Sequence, residues 1–265
     1  MPEVVTRVGV FGAGGRMGST VCKAVCDDSE LELVAAVDPL RAGFPLADLG
    51  VPEQGLQTQA QPEALRDGGA DVAVDFTVLD AARENLEWCA ANDVHAVVGT
   101  TGFTDADVAR YRELFSESKA NAVIAPNFAI GAVLMIRFAE LAAPYFETAE
   151  IVELHHDQKA DAPSGTAMLT AERMAQAPGE WADDPTDTVI VAGVRGGHGP
   201  GGIPIHSVRL RGLVAHQEVL LGTAGQSLSI RHDSYDRASF MPGVLLAVKH
   251  VANRDGLTLG LDPLL

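Results

Sequence analysis

The densest chemistry in the chain lies between Glu153 and Ala167. There ELHHDQKADAPSGTA gathers two adjacent histidines, a lysine and a Ser-Gly-Thr step. If the segment before it is extended, His155 and His156 face opposite sides. One imidazole can then serve a reacting atom as general acid while the other orients substrate or holds the loop. An unperturbed histidine titrates near pH ~6.5, so proton delivery works at neutral pH. Lys159 is one of four lysines and stands outside any amphipathic helix, which favours a ligand role. Ser164-Gly165-Thr166 opens a helix, where unpaired N–H groups suit a carboxylate, and Gly165 permits close backbone approach. Other readings stay open at this level. Either histidine alone could be a satisfied structural one. A zinc pair lacks a third ligand at convincing spacing, so no metal is expected. Ser164 as nucleophile lacks a G-x-S-x-G context, and capping fits its position better. His95, His198, His206, His216, His232 and His250 are scattered and receive no chemistry.

A second group of residues suits a dinucleotide. Gly12-x-x-Gly15-x-x-Gly18 sits between an expected strand and an expected helix. Glycines there allow a tight turn and bring backbone N–H groups against a pyrophosphate. The next strand ends on Asp38, twenty residues beyond Gly18, where a carboxylate can accept hydrogen bonds from ribose hydroxyls. Asp38 would repel a 2′-phosphate, while Arg16 and Arg41 could offset that repulsion. NADH preferred over, or comparable with, NADPH is the expectation. Gly99-Thr100-Thr101-Gly102-Phe103 and Ala125-Pro126-Asn127-Phe128 each follow a short apolar strand, at the sheet edge where open α/β folds bind ligands.

The elements that must position these residues follow from the apolar pattern. Strands are expected at Val4–Phe11, Leu33–Val37, Val72–Phe76, Ala96–Val98 and Ala122–Ala125. Helices are expected at Ser19–Asp28, Asp80–Asn92 and Asp105–Ser118, with Leu40–Leu65 mostly loop. Such alternation implies a parallel sheet covered on both faces. The pattern then changes. A long helical run, Ile130–Phe146, precedes a strand at Glu150–His156 and a helix at Ser164–Gln176. Four β-rich segments follow, Thr188–Val194, Ile203–Leu210, Val214–Leu221 and Ser227–Arg231, the last three reading as antiparallel. Gly193–Gly202, with six glycines, reads as a mobile or ligand-shaped loop. Ala238–Val251 reads as a closing helix, followed by Leu257–Leu261. The fold class is α/β, a Rossmann-like dinucleotide-binding domain with a second, α+β domain.

Composition narrows the partners. The chain has 265 residues, 36 acidic against 19 basic, and a formal charge of −17. A surface this negative disfavours nucleic acid and anionic lipid. No run approaches the ~18–20 apolar residues of a membrane span, and no signal peptide is expected. Three cysteines, Cys22, Cys26 and Cys89, suit reduced core thiols better than a disulfide framework. A cytoplasmic protein is the expectation.

The glycine turn GAGGRMG, the GTTGF and APNF turns and above all HHDQKADAPSGT closely resemble the dihydrodipicolinate reductase family of lysine biosynthesis, its actinobacterial members most of all. The similarity runs over essentially the whole chain. It implies NAD(P)H-dependent reduction of (2S,4S)-4-hydroxy-2,3,4,5-tetrahydrodipicolinate to (S)-2,3,4,5-tetrahydrodipicolinate, with hydride delivered to C4. By the resemblance, His155 is the proton donor and Lys159 the second catalytic donor. His156 binds substrate, and Gly165 with Thr166 clamps a carboxylate. Gly12, Ala13, Gly14, Gly15, Arg16, Met17 and Asp38 contact the cofactor, as do Gly99, Thr100, Thr101, Ala125, Pro126, Asn127 and Phe128. The family also implies a small dicarboxylate substrate and a homotetramer assembled through the sheet of the second domain. The domains would be residues 1–127 with 238–265 for cofactor, and 128–237 for substrate and oligomerisation. One departure is Pro39. Members favouring the 2′-phosphate can carry arginine immediately after the acidic residue, so NADPH preference is in doubt here.

Overall fold

Short valine- and alanine-rich runs without alternation make strands covered on both faces, and the first part of the chain is built from them. In the computed structural model, which describes residues 5–52, 55–177, 179 and 181–265, these are β1 (Thr6–Phe11), β2 (Leu31–Val37), β3 (Val72–Asp75), β4 (His95–Val98) and β5 (Ala122–Ile124). Between them run α1 (Arg16–Asp27), α2 (Glu63–Asp67), α3 (Leu79–Ala91) and α4 (Asp105–Glu117). Helix α4 starts on a capping box in which Thr104 and Asp107 satisfy each other's backbone N–H groups.

The second part comprises α5 (Ile130–Ala142), β6 (Thr148–His155), α6 (Gly165–Ala175), β7 (Gly197–His198), β8 (Pro204–Arg209), β9 (Ala215–Thr223) and β10 (Gln226–Ser234). The chain then forms α7 (Met241–His250) and β11 (Leu257–Leu259). It divides into two compact units, Met1–Ala129 with Arg237–Leu265, and Ile130–Asp236.

In the first unit all pairings are parallel, in the order β11-β5-β4-β3-β1-β2. The strand order reverses between β1 and β3, which makes the end of β1 a topological switch point, the usual ligand position in such sheets. Strand β11 pairs with β5. The Asn121 side chain ties it down, accepting from the Gly256 N–H at 2.9 Å and donating to the Ala252 carbonyl at 3.2 Å.

In the second unit the order is β10-β9-β6-β8-β7. Helices α5 and α6 bury Met135, Ile136, Ala139, Ala167, Ala171 and Met174 against Ile151, Ile205, Val219 and Leu221 of the sheet. Alternation in β6 sends Ala149, Ile151 and Glu153 to the buried side.

Several elements differ from the sequence expectation. Helix α1 begins at Arg16, three residues early, because the glycine turn runs directly into the helix. Strand β8 is parallel to β6 and is not hydrogen-bonded to β9; the antiparallel pairs of this sheet are β9 with β10, β9 with β6 and β7 with β8. Thr188–Val194 is no strand. Its β-branched residues suit one, but a strand needs a partner, and Val189, Ile190, Val191 and Val194 are all exposed. The glycine-rich Gly193–Gly202 is partly strand, with Gly197–His198 paired to β8. The long helix stops at Ala142, where a 3₁₀ turn containing Pro144 takes over. The closing helix starts at Met241, after a 3₁₀ turn over Arg237–Phe240. The expected strand start at Val4 lies outside the described residues. Cys22 and Cys89 are buried free thiols, and burial pushes Cys22 up to about 12.

Candidate active site

The glycine turn is shaped by contacts that exclude side chains. Gly12 adopts φ +68°, and the Gly15 N–H bonds back to its carbonyl at 2.9 Å. A Cβ on Gly18 would stand 2.0 Å from that same carbonyl oxygen. These closures leave the N–H groups at the start of α1 pointing past the end of β1, the arrangement that cradles an anion. Asp38, buried at the end of β2, accepts from the Gly14 N–H at 2.9 Å and the Leu40 N–H at 3.0 Å. Each carboxylate oxygen keeps a further lone pair, so the ribose role expected of it is still open. A Cβ on Gly14 would lie 2.5 Å from Arg41 Cδ and 2.7 Å from Asp38 Oδ2. The Arg41 stem is thus held against the turn beside Asp38. The turn therefore fits a dinucleotide.

The other expected cofactor turns leave the same edge of the sheet. Thr100 donates to the Thr77 carbonyl at 2.8 Å, and the Thr77 methyl is what a Cβ on Gly12 would meet at 3.0 Å. A Cβ on Gly99 would clash with the Phe76 ring at 2.0 Å, and that ring packs on Phe128, centroids 5.7 Å apart. Asn127 caps the following turn through the Ala129 N–H at 2.9 Å, while the Ala125 N–H bonds to Val98. Thr101 is exposed. The sequence reading missed Asp75. Its buried carboxylate accepts from Thr77 N–H and O–H at 2.7 and 2.6 Å and from Asn85 at 2.7 Å. Burial pushes that carboxyl up despite these bonds.

In the second unit, His155 is the last residue of β6. Its Nδ1 lies 2.5 Å from Glu153 Oε2. Glu153 is fully buried and receives Arg209 bidentately, at 2.8 and 2.9 Å. Burial alone would raise this carboxyl. Hydrogen bonds from His155, Arg209 and Ser207 overcome it and hold the group down to about 2. The other Glu153 oxygen accepts the Ser164 N–H at 3.3 Å. One carboxylate thereby joins His155 to the start of α6. Ser164 caps that helix, its Oγ accepting the Ala167 N–H at 3.2 Å. A Cβ on Gly165 would meet nothing within 4 Å, so the glycine is not required for packing and leaves room over the free N–H groups of the first turn. Thr166 follows it in that turn. Lys159 pairs with Asp161 at 2.7 and 2.9 Å, and Arg209 anchors the same loop through the Asp161 carbonyl at 2.7 Å. His156 is exposed, its Nδ1 accepting the Gln158 N–H at 3.2 Å.

A buried histidine elsewhere marks the contrast. His216 is engaged at both nitrogens, by Asp233 at 2.7 Å and by the Val214 N–H at 3.2 Å, as a structural residue should be. His155 Nε2 has no partner among the described residues. Among those residues, no group of three or more His, Cys, Asp or Glu stands together as a metal site. No helix is long and apolar enough to cross a membrane.

Residues 6–128 match the family model for the dihydrodipicolinate reductase N-terminus, and residues 131–265 match that for its C-terminus. The chain belongs to the dihydrodipicolinate reductase family. Its members include the 4-hydroxy-tetrahydrodipicolinate reductases of Mycobacterium ulcerans and Mycobacterium marinum, each 51 % identical over 98 % of both chains. The dipicolinate-bound dihydrodipicolinate reductase of Paenisporosarcina sp. TG-14 superposes with a TM-score of 0.88 at 41 % identity, over 98 % of this chain and 100 % of that one. Membership makes the chain an NAD(P)H-dependent oxidoreductase of the diaminopimelate route to lysine. The dihydrodipicolinate reductase fold expected from the motifs, a Rossmann-like parallel sheet with a second mixed sheet, is the fold observed.

Proposed function

We propose that the chain reduces (2S,4S)-4-hydroxy-2,3,4,5-tetrahydrodipicolinate to (S)-2,3,4,5-tetrahydrodipicolinate. The observation that carries this reading is the single carboxylate of Glu153, which links a proton-bearing histidine to a helix start left open at Gly165.

NADH or NADPH supplies the hydride, to substrate C4. The residues of the first unit would hold that cofactor: the Gly12–Met17 turn, with the N–H groups at the start of α1, for the pyrophosphate, Asp38 for the ribose, and the Gly99–Thr101 and Ala125–Phe128 turns for the nicotinamide end. Gly165 and Thr166 N–H groups bind one substrate carboxylate, and His156 with Lys159 supplies further donors to the small dicarboxylate. His155 delivers from Nε2 the proton that quenches the electron pair left by hydride addition, with Lys159 as second donor. The −17 charge opposes both anionic ligands, so affinity rests on these local donors, with distant charge screened beyond ~8–10 Å.

The reading includes a homotetramer formed through the sheet of the second unit, supported by exposed Leu220 and Leu228 on that sheet and by the exposed apolar run Val189–Val191. A cytoplasmic setting is supported by the buried free thiols. The test is NADH oxidation coupled to substrate freshly generated from pyruvate and aspartate semialdehyde. A steady absorbance decrease is expected; none at micromolar enzyme would defeat the reading.

A further inference from the structure

Glu153 occupies a place the sheet otherwise gives to apolar side chains, in line with Ala149 and Ile151 on the face packed by α5 and α6. A buried carboxylate is costly unless donors satisfy it, and an apolar side chain of similar size would pack there at less cost. Its retention needs a reason beyond packing. Arg209 alone would satisfy the charge, bidentately, at 2.8 and 2.9 Å. Yet the carboxylate is also aimed at His155 Nδ1, at 2.5 Å. The Arg209 fork fixes the carboxylate plane, and the Ser164 N–H fixes its far oxygen, so Glu153 cannot turn away from the ring.

We infer that Glu153, clamped by Arg209, is the positioning residue of the proton donor: it accepts the Nδ1 proton of His155, so the transferred proton leaves from Nε2. This rests on the reading of His155 as that donor. The step balances simply. The Nε2–H bond of the imidazolium breaks, and the proton goes to the substrate atom bearing the electron pair left by hydride addition. The ring is left neutral with its Nδ1 proton in place, Glu153 stays a carboxylate, and solvent returns a proton to Nε2. An anion at Nδ1 both fixes the tautomer and stabilises the doubly protonated ring before transfer. The surrounding elements add few competing charges. On β9 the residue paired with His155 is Ala215, the start of α6 contributes the Ser164 N–H, and Arg209 on β8 is the charged partner, with Asp161 beyond it.

The experiment compares Glu153→Gln and His155→Ala with the wild-type enzyme in steady-state kinetics across pH. The amide keeps the shape but loses the charge. Glu153→Gln is expected to lower kcat by about 10–100-fold with KM changed less than ~3-fold, and the deficit shrinks as pH falls. A deficit equal at every pH, or one carried mainly by KM, would assign Glu153 a merely structural role and overturn the inference. If His155→Ala keeps near wild-type kcat, the proton-donor reading itself falls. If His155→Ala loses kcat while Glu153→Gln behaves as wild type, only the positioning role falls. Nitrogen-15 NMR of the wild-type imidazoles gives a readout independent of any variant's folding. The neutral His155 ring is expected to carry its proton on Nδ1, and a proton on Nε2 instead would overturn the inference.

Discussion

The ammonium of Lys159 lies 2.7 and 2.9 Å from the two carboxylate oxygens of Asp161. The carboxylate side chain is 61 % exposed and the lysine 21 %, so the cation of this loop already faces an anion at the surface. In the role proposed for Lys159, a substrate carboxylate competes with Asp161. Lys159→Ala is expected to lower kcat by about 10²–10⁴-fold. Asp161→Asn is expected to leave kcat alone and lower KM by no more than ~5-fold, since exposed pairs contribute ~0–1 kcal/mol. Initial rates over a substrate series check both. A tenfold rise in KM for Asp161→Asn would make the aspartate part of the binding site.

Two glycines at helix starts are expected to respond oppositely to the same change. At Gly18 the added methyl would meet the Gly12 carbonyl at 2.0 Å, so Gly18→Ala should cost about 1–3 kcal/mol of stability and weaken NADH binding. At Gly165 the methyl meets nothing within 4 Å, so Gly165→Ala should keep the melting temperature and raise substrate KM. Thermal melts alongside NADH titration and substrate KM separate the two. Equal loss of stability in both would remove the distinction.

Arg41 lies against Gly14 beside Asp38, and the role proposed for it is to meet a 2′-phosphate that Asp38 alone would repel. Arg41→Ala is expected to lower kcat/KM for NADPH by about 5–50-fold and for NADH by less than ~3-fold. An equal fall with both cofactors would take Arg41 out of that role. In the wild-type enzyme, NADH should work at least as well as NADPH.

Glu153 links the site to acid stability. Its folded carboxyl is held from 4.5 down to about 2. The unfolded chain therefore takes up a proton first as pH falls, and the stabilisation is complete above about pH 4.5 and lost progressively toward pH 2. Its size is on the order of 3 kcal/mol by linkage. Urea melts of wild type and Glu153→Gln should differ most near neutral pH and converge below about pH 4.5. A gap that does not change with pH would show that the carboxylate's charge does not matter to folding.

Much of this was legible in the amino-acid order because it is local. The glycine turn, Asp38 at a strand end and the Ser164 cap all depend on neighbours within a few dozen residues. Arg209 was not legible: it reaches Glu153 across 56 residues, and nothing in Ile203–Leu210 marks one arginine as a clamp. Asp75 was hidden for the same reason, as a polar residue closing an apolar strand. The apolar pattern of Ile203–Leu210 marks a strand but not which strand lies beside it, so its parallel pairing with β6 could not be read. Thr188–Val194 misled because β-branched composition describes a side-chain preference, whereas a strand also needs a hydrogen-bonding neighbour.

The pairing of β11 with β5 carries a consequence for how the chain comes off the ribosome. The sheet that holds the glycine turn is interrupted by the whole of Ile130–Asp236, a continuous segment that can close on itself as soon as it emerges. Until Leu257–Leu259 follow, β5 is an open border with unpaired backbone groups, the kind of edge that recruits other chains. The second unit can therefore close before the first, and a chain truncated within α7 would carry a complete second unit and a first unit whose β5 edge is adhesive and unfinished.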